Sequence, residues 1–452
     1  MIFIGFVNTD SARVVEILDE TEASEFTTID EYTTTVKVYT FGNKNFYRYG
    51  ITNLTANTKY TINTTSCFTT LKENSDPTIM YASCDGRDLY DPGRKDPAKH
   101  WKIFKSHAEQ INADFIIHGG DNIYMDNVFL DIIELTENHI DSTTSRQMEQ
   151  MINNHYISHF SQPDKLFCMQ HYSNIMTIDD HDIIDDYGQT NNIPQFTDDS
   201  LKRNVVISHV TIEKYNHICQ CMKRAYLVYQ HLLIADFDQA DSPGTVYLYK
   251  SFDIGNVRLI LTDNRYERKF LRPDKMNGVF GSAQMDWILA QMQDADDLKM
   301  KTYIVSSTPL ISWSKWNIRF LNMVGKPYLN DGSFTDDIAK STEKKRILEQ
   351  AEKYRDRVLF ISGDLHVGYF GDEGNITQIV SSPISTSPND DLLFTLLTRF
   401  IFPTIRMKSH FLVENNFAII RPAHYELIGE YTTIKYSPDM KFLTWFAPFC
   451  EE

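Results

Sequence analysis

The sequence predicts an α/β domain that follows a smaller all-β domain. Short strands with alternating, β-branched residues dominate the first part of the chain, and from Thr78 onward strand-like and helix-like segments alternate. The chain of 452 residues exceeds the size of one small domain, and its hydrophobic content of 42% suffices for a large core. We therefore expect an N-terminal β-sandwich domain over residues 1–75 and an α/β domain over residues 76–452.

The N-terminal region contains several candidate strands. The apolar start from Met1 to Val7 lacks the basic residues of a signal peptide, so we interpret it as a strand and expect a cytoplasmic protein or one secreted without a leader. Thr33–Tyr39 alternates between polar and apolar residues, and Phe46–Ile51 follows after a Gly-Asn turn. The stretch Leu54–Ile62 resembles the tyrosine-anchored corner of fibronectin type III domains, which favours a fibronectin III-like sandwich.

The second region alternates strands and helices and carries polar residues at its strand ends. Strands are predicted at Ile79–Ser83, Asp114–His118, Val257–Thr262, Thr302–Ser306 and Val358–Ser362, and helices at Ala98–Asn112, Ser282–Gln293 and Thr342–Tyr354. Ligands of α/β proteins gather beyond the carboxyl ends of strands. Polar clusters that directly follow these strands are therefore the candidate site.

The acidic composition narrows the possible functions. The chain has 44 Lys+Arg against 61 Asp+Glu, a formal net charge of −17. Because nucleic-acid phosphates require a basic footprint, this balance argues against nucleic-acid binding and leaves any macromolecular partner unknown. It does not exclude a phosphate-ester substrate, since bound metal ions reverse the local potential of a site. No apolar run reaches the length of a transmembrane segment.

Two motifs follow the first two strands of the α/β domain. In Ser83-Cys84-Asp85, either Cys84 or Asp85 could bind a metal, and a purely structural loop is the alternative. In Gly119-Gly120-Asp121-Asn122-Ile123-Tyr124, the aspartate could bridge two cations and the phenol could reach the same side of the turn. A phenolate ligand indicates a strongly Lewis-acidic ion such as ferric iron. A loop with an Asx turn and no metal is the alternative.

The third and fourth motifs each place a histidine beside aspartates. In Asp179-Asp180-His181-Asp182, which follows the apolar run Ile175–Ile178, like charges crowd one strand end. Metal coordination would offset their repulsion, whereas a solvated surface run is the alternative. In Gly363-Asp364-Leu365-His366, we expect Asp364 and His366 to project to one face of an extended segment, where they could bind one ion or two adjacent ions.

Together the four motifs resemble those of the calcineurin-like metallophosphoesterases, most closely the PhoD-type alkaline phosphatases. That branch carries S-C, G-D-x-I-Y, D-D-H-[DE] and G-D-x-H in this order, and all four are present here between Ser83 and His366. The stretch Leu261–Arg268 also resembles the D-x-R-x-x-R segment of the family. The resemblance implies a metallophosphatase-type αββα sandwich for the α/β domain. The twin-arginine export signal common in this branch is absent.

The resemblance also implies two metal ions held by six side chains of the motifs. Cys84, Tyr124 and His366 would hold the first ion, Fe(III). Asp121 would bridge both ions, and Asp180 and Asp364 would hold the second, for which their hard oxygen ligands favour Ca²⁺ or another hard dication.

The implied activity is hydrolysis of phosphate esters by a metal-activated hydroxide. His181 would protonate the leaving oxygen or stabilise the developing charge, and Arg265 would pair with the phosphate in bidentate fashion. The alternative is a catalytically silent protein of the same fold that serves as a partner-binding module. Retention of His181 beside Asp180 argues against this alternative.

Overall fold

The computed structural model describes the protein over residues 1–24, 32–86, 98–136, 142–185, 187, 211–238, 246–265, 270–272, 275–276, 278–311, 338–354, 356, 358–386, 388, 412–437 and 444–446. The end of the stretch that resembles D-x-R-x-x-R, Tyr266 to Arg268, lies outside these residues.

The N-terminal region is all-β, as predicted. Its strands are β1 (Ile2–Val7), β2 (Ser11–Asp19), β3 (Thr33–Phe41), β4 (Lys44–Thr52), β5 (Lys59–Thr61) and β6 (Cys67–Thr69). The first four form an antiparallel sheet in the order β1-β2-β4-β3, and β5 pairs with β6. At the predicted corner, the backbone N–H of Thr55 donates to the Tyr60 hydroxyl at 2.8 Å. This bond closes the corner in the manner of a fibronectin type III sandwich.

The second region has the predicted α/β elements. They are β7 (Ile79–Ala82), α1 (Ala98–Ile111), β8 (Phe115–Gly119), α2 (Asp126–Leu135), α3 (Ser142–Phe160), α4 (Pro163–His171), β9 (Ser173–Thr177), α5 (Ile212–Tyr229), β10 (Lys250–Ile254), β11 (Val257–Leu261), β12 (Phe270–Arg272), β13 (Lys275–Met276), α6 (Gly281–Asp297), β14 (Lys301–Val305), α7 (Ile338–Ala351), β15 (Val358–Ser362), β16 (Tyr369–Glu373), β17 (Ile376–Val380), β18 (Asn416–Ile420), β19 (Tyr425–Gly429), β20 (Thr433–Tyr436) and β21 (Thr444–Phe446). None of the described helices combines the length and apolarity needed to cross a membrane.

Two mixed sheets form the centre of this region. One has seven strands in the order β21-β20-β19-β18-β7-β8-β9, and the other has six in the order β10-β11-β14-β15-β17-β16. Strands β7, β8 and β9 run parallel, as do β11, β14, β15 and β17. The carboxyl ends of the parallel strands therefore lie at one edge of each sheet.

The apolar clusters define the layers of an αββα sandwich. Tyr81 and Leu261, on facing sides of the two sheets, belong to one central cluster. On the outer side of the seven-stranded sheet, Met80 packs with Trp101 and Phe104 of α1. On the outer side of the six-stranded sheet, residues of α6 and α7 pack on Ile304 and Phe360. The predicted fold class is confirmed.

The N-terminal sheet shares the central apolar cluster with helices of the second region. The rings of Phe3 and Phe160 lie 5.5 Å apart, and those of Phe46 and Tyr229 lie 4.8 Å apart. Strand β1 also contacts β9 and α4. The sheet therefore supports the helices that follow β8, while a domain boundary between residues 75 and 76 stays a prediction.

An ion-pair cluster adds a second link between these regions. The Asp236 carboxylate, which follows α5, pairs with Arg13, Lys37 and Arg48 of the N-terminal sheet. Burial opposes ionisation of Asp236, but these cations outweigh it and lower its pKa to about 2. A carboxyl group with a lowered pKa stabilises the fold above its unfolded pKa of about 3.9, and this stabilisation is lost as the pH falls toward 2.

We expect Asp236→Asn to lower the free energy of unfolding at pH 7 by about 1 kcal/mol, since solvent screens a half-buried network. Urea unfolding at pH 7 and thermal melting at decreasing pH measure the difference, which should shrink as the pH falls from 4 toward 2. Asp164→Asn is the matched control, because Asp164 is equally exposed (25%) but pairs only with Lys105 among the described residues. Equal losses in both variants, or a loss independent of pH, would contradict the prediction.

Candidate metal centre

The four predicted motifs meet at the carboxyl ends of the parallel strands. The backbone N–H of Cys84, after β7, donates to the carbonyl of Gly120, after β8, at 3.2 Å. In the second sheet, the N–H of Gly363, after β15, donates to the carbonyl of Ser307, after β14, at 3.1 Å. These bonds tie neighbouring loops together within each sheet. The edge of the sandwich thus brings separate sequence motifs into one site, as expected for an α/β fold.

Four predicted metal ligands have left-handed backbone conformations. The φ angles are +56° at Cys84, +52° at Asp121, +69° at Asp364 and +55° at His366. Such angles are uncommon outside glycine, cost about 1–3 kcal/mol each and cluster at functional sites. They also correct one expectation, because Asp364 and His366 do not lie in an extended segment. A tight turn positions them instead, and the N–H of His366 donates to Ser382 Oγ at 2.7 Å.

The two glycines before Asp121 allow the close approach of the first loops. A Cβ atom on Gly119 would lie 1.9 Å from the Tyr81 hydroxyl, a distance that no real side chain could accept. Gly120 has a φ of +97°, which other residues rarely adopt. These positions therefore require glycine, and they set the turn from which the Asp121 side chain projects.

A first ligand group consists of Cys84, Asp121, Tyr124 and His366. Ligand atoms of Cys84, Asp121 and His366 all lie within 4.8 Å of one another. The phenol oxygen of Tyr124 is 3.3 Å from Asp121 Oδ2 and 3.1 Å from His366 Nε2. The structure thus brings together the four side chains expected at the first metal, although they come from three separate loops.

A second ligand group consists of Asp121, Asp180 and His181, whose ligand atoms also lie within 4.8 Å of one another. His181 Nδ1 lies 2.9 Å from Asp126 Oδ2, and its ring stacks on Tyr124 with 4.1 Å between centroids. Within the described residues Asp364 does not join either group at this distance. Asp364 is nevertheless near, because its negative charge raises the pKa of Cys84.

Asp182 and Arg265 contact the backbone of the site. Asp182 Oδ2 accepts the backbone N–H groups of Asp121 at 3.1 Å and of Asp179 at 2.9 Å. The buried Arg265 guanidinium contacts Asp179 at 2.5 Å, Asp180 at 3.3 Å and the carbonyl of Tyr187 at 3.2 Å. All three nitrogens of Arg265 therefore have protein partners, and its contact with a phosphate stays a prediction.

The electrostatics of the site fit bound cations. Burial raises the pKa of Asp121 to about 7, and the charge of Asp179 adds to the increase, although His181 lowers it. Burial and the neighbouring carboxylates of Asp121 and Asp364 also raise the pKa of the Cys84 thiol well above its ordinary value. A metal cation would stabilise the ionised forms of these groups. Thiolate, phenolate, imidazole and carboxylate donors at one place match a transition-metal site.

Several residues that position the site were not predicted from the sequence. Asp126, at the start of α2, contacts His181, and His155 Nε2 of α3 lies 2.9 Å from the carbonyl oxygen of Tyr124. Of the two candidates after β7, Cys84 joins the first ligand group, whereas Asp85 pairs with the buried Lys165. Among these features, only the pairing of a histidine with a nearby carboxylate generally indicates a functional site. This pairing can be recognised only once the fold is known.

Comparisons with known proteins give the following matches. The family model of the PhoD-like phosphatases matches residues 79–391. No curated protein matches the sequence significantly. A solved structure of PhoD aligns with a TM-score of 0.64 and 13% identity, covering 99% of this chain and 91% of that one. Purple acid phosphatase PPD1 from yellow lupin (Lupinus luteus) seeds aligns with a TM-score of 0.52 and 10% identity, covering 96% of this chain and 71% of that one.

Proposed function

The chain belongs to the PhoD-like phosphatase family and is a metal-dependent phosphoesterase, and we propose that it hydrolyses phosphate esters at the cluster around Asp121. The observation that carries the proposal is the place of Asp121 in both ligand groups. A carboxylate shared by two groups of donors is the arrangement needed to bridge two ions. Phosphate esters are its substrates, as the family implies.

For the metals, we propose Fe(III) in the first ligand group and Ca²⁺ or another hard dication in the second. Cys84, Tyr124 and His366 supply sulfur, phenol and imidazole donors, which favour a transition metal. Asp180 of the second ligand group and Asp364, which lies near Cys84 but outside both groups, would supply carboxylate oxygens, which favour a hard dication. Asp121 belongs to both ligand groups and would contribute to holding both ions. When bound, the ions polarise the phosphoryl oxygens and acidify a water molecule.

His181 acts as the general acid in this proposal. Burial opposes its protonation, but the charges of Asp126, Asp121 and Asp180 raise its pKa well above the ordinary value. With Nδ1 hydrogen-bonded to Asp126, Nε2 is the nitrogen that would give its proton to the leaving oxygen, and it lies 3.7 Å from Asp185 Oδ1. The His181 side chain is 14% exposed, so part of it is accessible from solvent.

For Arg265, we propose a contact with one phosphoryl oxygen through Nη1. This nitrogen donates to the carbonyl of Tyr187, a backbone partner that a phosphate could replace. Nε and Nη2 would keep their contacts with Asp179 and Asp180. Arg265 would then link the substrate to the second ligand group.

The metal assignment is tested by elemental analysis and visible absorption of the purified protein, with Tyr124→Phe beside it. We expect iron and a second dication, and an absorption band from phenolate-to-iron charge transfer that Tyr124→Phe removes. Tyr229→Phe is the control, because Tyr229 is similarly buried and its hydroxyl donates to Asn153, which belongs to neither ligand group. Protein that is active without iron, or a band that survives in Tyr124→Phe, would overturn the iron assignment.

The catalytically silent binding protein that the sequence left as an alternative is excluded by a turnover assay. Such a protein would retain the fold and the charges but show no turnover of any phosphate ester. Hydrolysis of p-nitrophenyl phosphate and of bis(p-nitrophenyl) phosphate, with and without chelator, separates it from an active phosphoesterase. Chelator-sensitive hydrolysis of either ester excludes the silent protein.

A further inference from the structure

A buried ionic cluster lies beside the loops after β7 and β8, which carry Cys84 and Asp121 of the first ligand group. It consists of Asp85, His159 and Lys165, whose side chains are 4%, 5% and 0% exposed. We propose that this positioning cluster fixes the geometry of the first ligand group by holding the loops after β7 and β8 together. The inference rests on the proposed function, since it assigns residues that serve the same metal site.

The carboxylate of Asp85 is the centre of the positioning cluster. Its Oδ2 accepts hydrogen bonds from Lys165 Nζ at 2.5 Å and Trp101 Nε1 at 3.1 Å, and lies 3.2 Å from His159 Nε2. Its Oδ1 accepts from Ser385 Oγ at 2.5 Å. With donors on both oxygens, Asp85 is a fixed structural anion, and its backbone places Cys84 directly beside it.

The lysine and the histidine of the cluster reach the second loop. Lys165 Nζ donates to the backbone carbonyl of Asn122 at 3.2 Å, and His159 Nε2 lies 2.9 Å from the same oxygen. Asn122 is the residue between Asp121 and the turn that carries Tyr124. The positioning cluster thus includes Asp85, the neighbour of Cys84, and contacts Asn122, the neighbour of Asp121.

Stability alone does not account for these charges. Burying an ion pair removes both charges from water, and apolar residues of similar size are often equally stable at such sites. Lys165 already lies among aromatic rings, with Nζ 4.2 Å from the Phe160 centroid and 5.4 Å from the Trp101 centroid. The charged side chains do, however, make directed hydrogen bonds to the loops after β7 and β8. Residues that contact metal ligands in this way, without binding the metal themselves, orient those ligands.

The test replaces Lys165 by methionine and by arginine. We expect Lys165→Met to lower the affinity for the first metal or kcat by about 10–100-fold, with KM little changed and the visible band shifted. Lys165→Arg keeps the charge and should restore part of the metal affinity and part of kcat. Lys344→Met is the control, because it breaks the similarly buried Lys344–Glu373 pair, which lies 2.8 Å apart on α7 and β16.

The outcomes separate this inference from the proposed function. Folded Lys165→Met with wild-type metal affinity, band and kcat would overturn the positioning role. The same loss in Lys344→Met would also overturn it, because the effect would then be general destabilisation. If Lys165→Met does not fold, Ser385→Ala, which removes one donor to Asp85, should still shift the band and lower kcat. Wild-type protein without metal or turnover would instead refute the proposed function.

Discussion

Asp121→Asn is expected to abolish the hydrolysis of phosphate esters, lowering kcat by at least about 10³-fold, equivalent to roughly 4 kcal/mol of transition-state stabilisation. Asparagine removes the charge that both ligand groups share, and its amide nitrogen cannot bind a cation. The metal content should fall with the activity. Because the variant also relieves a buried carboxylate whose pKa is raised to about 7, its fold should be at least as stable as that of the metal-free wild type.

Asp114→Asn is the matched control for this variant. Asp114 precedes β8 at its opposite end and accepts the backbone N–H of Thr78 at 2.8 Å, far from the ligand groups. The control should retain wild-type kcat and metal content. Substantial activity in Asp121→Asn, with metal still bound, would mean that the reaction takes place elsewhere.

His181→Asn is expected to lower kcat by about 10²–10⁴-fold for esters with poor leaving groups, the usual contribution of a general acid. The loss should be much smaller for p-nitrophenyl phosphate, whose leaving group needs little protonation. Kinetics over a series of aryl and alkyl phosphates measures this difference. Metal content should remain unchanged, because His181 Nδ1 contacts Asp126 and its role is proton transfer.

The control for His181 is His107→Asn. His107 lies on α1 and packs against Phe417, on the outer side of the seven-stranded sheet. It should leave the kinetics of all esters unchanged. A loss of metal in His181→Asn, or an equal loss of rate for every leaving group, would identify His181 as a metal ligand, which its place in the second ligand group permits.

The strands that carry the site could be predicted because their signals are local. Each motif follows a short, fully buried apolar run, such as Phe115–Gly119 before Asp121 or Val358–Ser362 before Asp364. Strand β2 gave no comparable signal, because Val14 and Val15 are both buried and the expected alternation is lost. The position of the site could thus be predicted because each strand before a motif is a short run of buried residues.

The residues that support the site could not be predicted, because they depend on contacts between distant segments. Lys165 in α4 has the sequence appearance of a solvated lysine, yet its side chain is fully buried against Asp85. For Arg265 the sequence indicated only a phosphate contact, and its ion pairs with Asp179 and Asp180 became apparent only in the fold. The turn at Asp364 and His366 was also missed, since left-handed angles outside glycine have no reliable sequence signal.

The most direct test asks whether one two-metal site performs the hydrolysis. It measures turnover and bound metal together in protein from which a chelator has removed the metal ions. Iron and calcium are added stepwise, and p-nitrophenyl phosphate hydrolysis and bound metal per chain are recorded together. We expect no turnover in stripped protein and full recovery when two ions per chain are bound. Turnover that persists without metal, or that recovers fully with one ion, would contradict a site in which Asp121 bridges two metals.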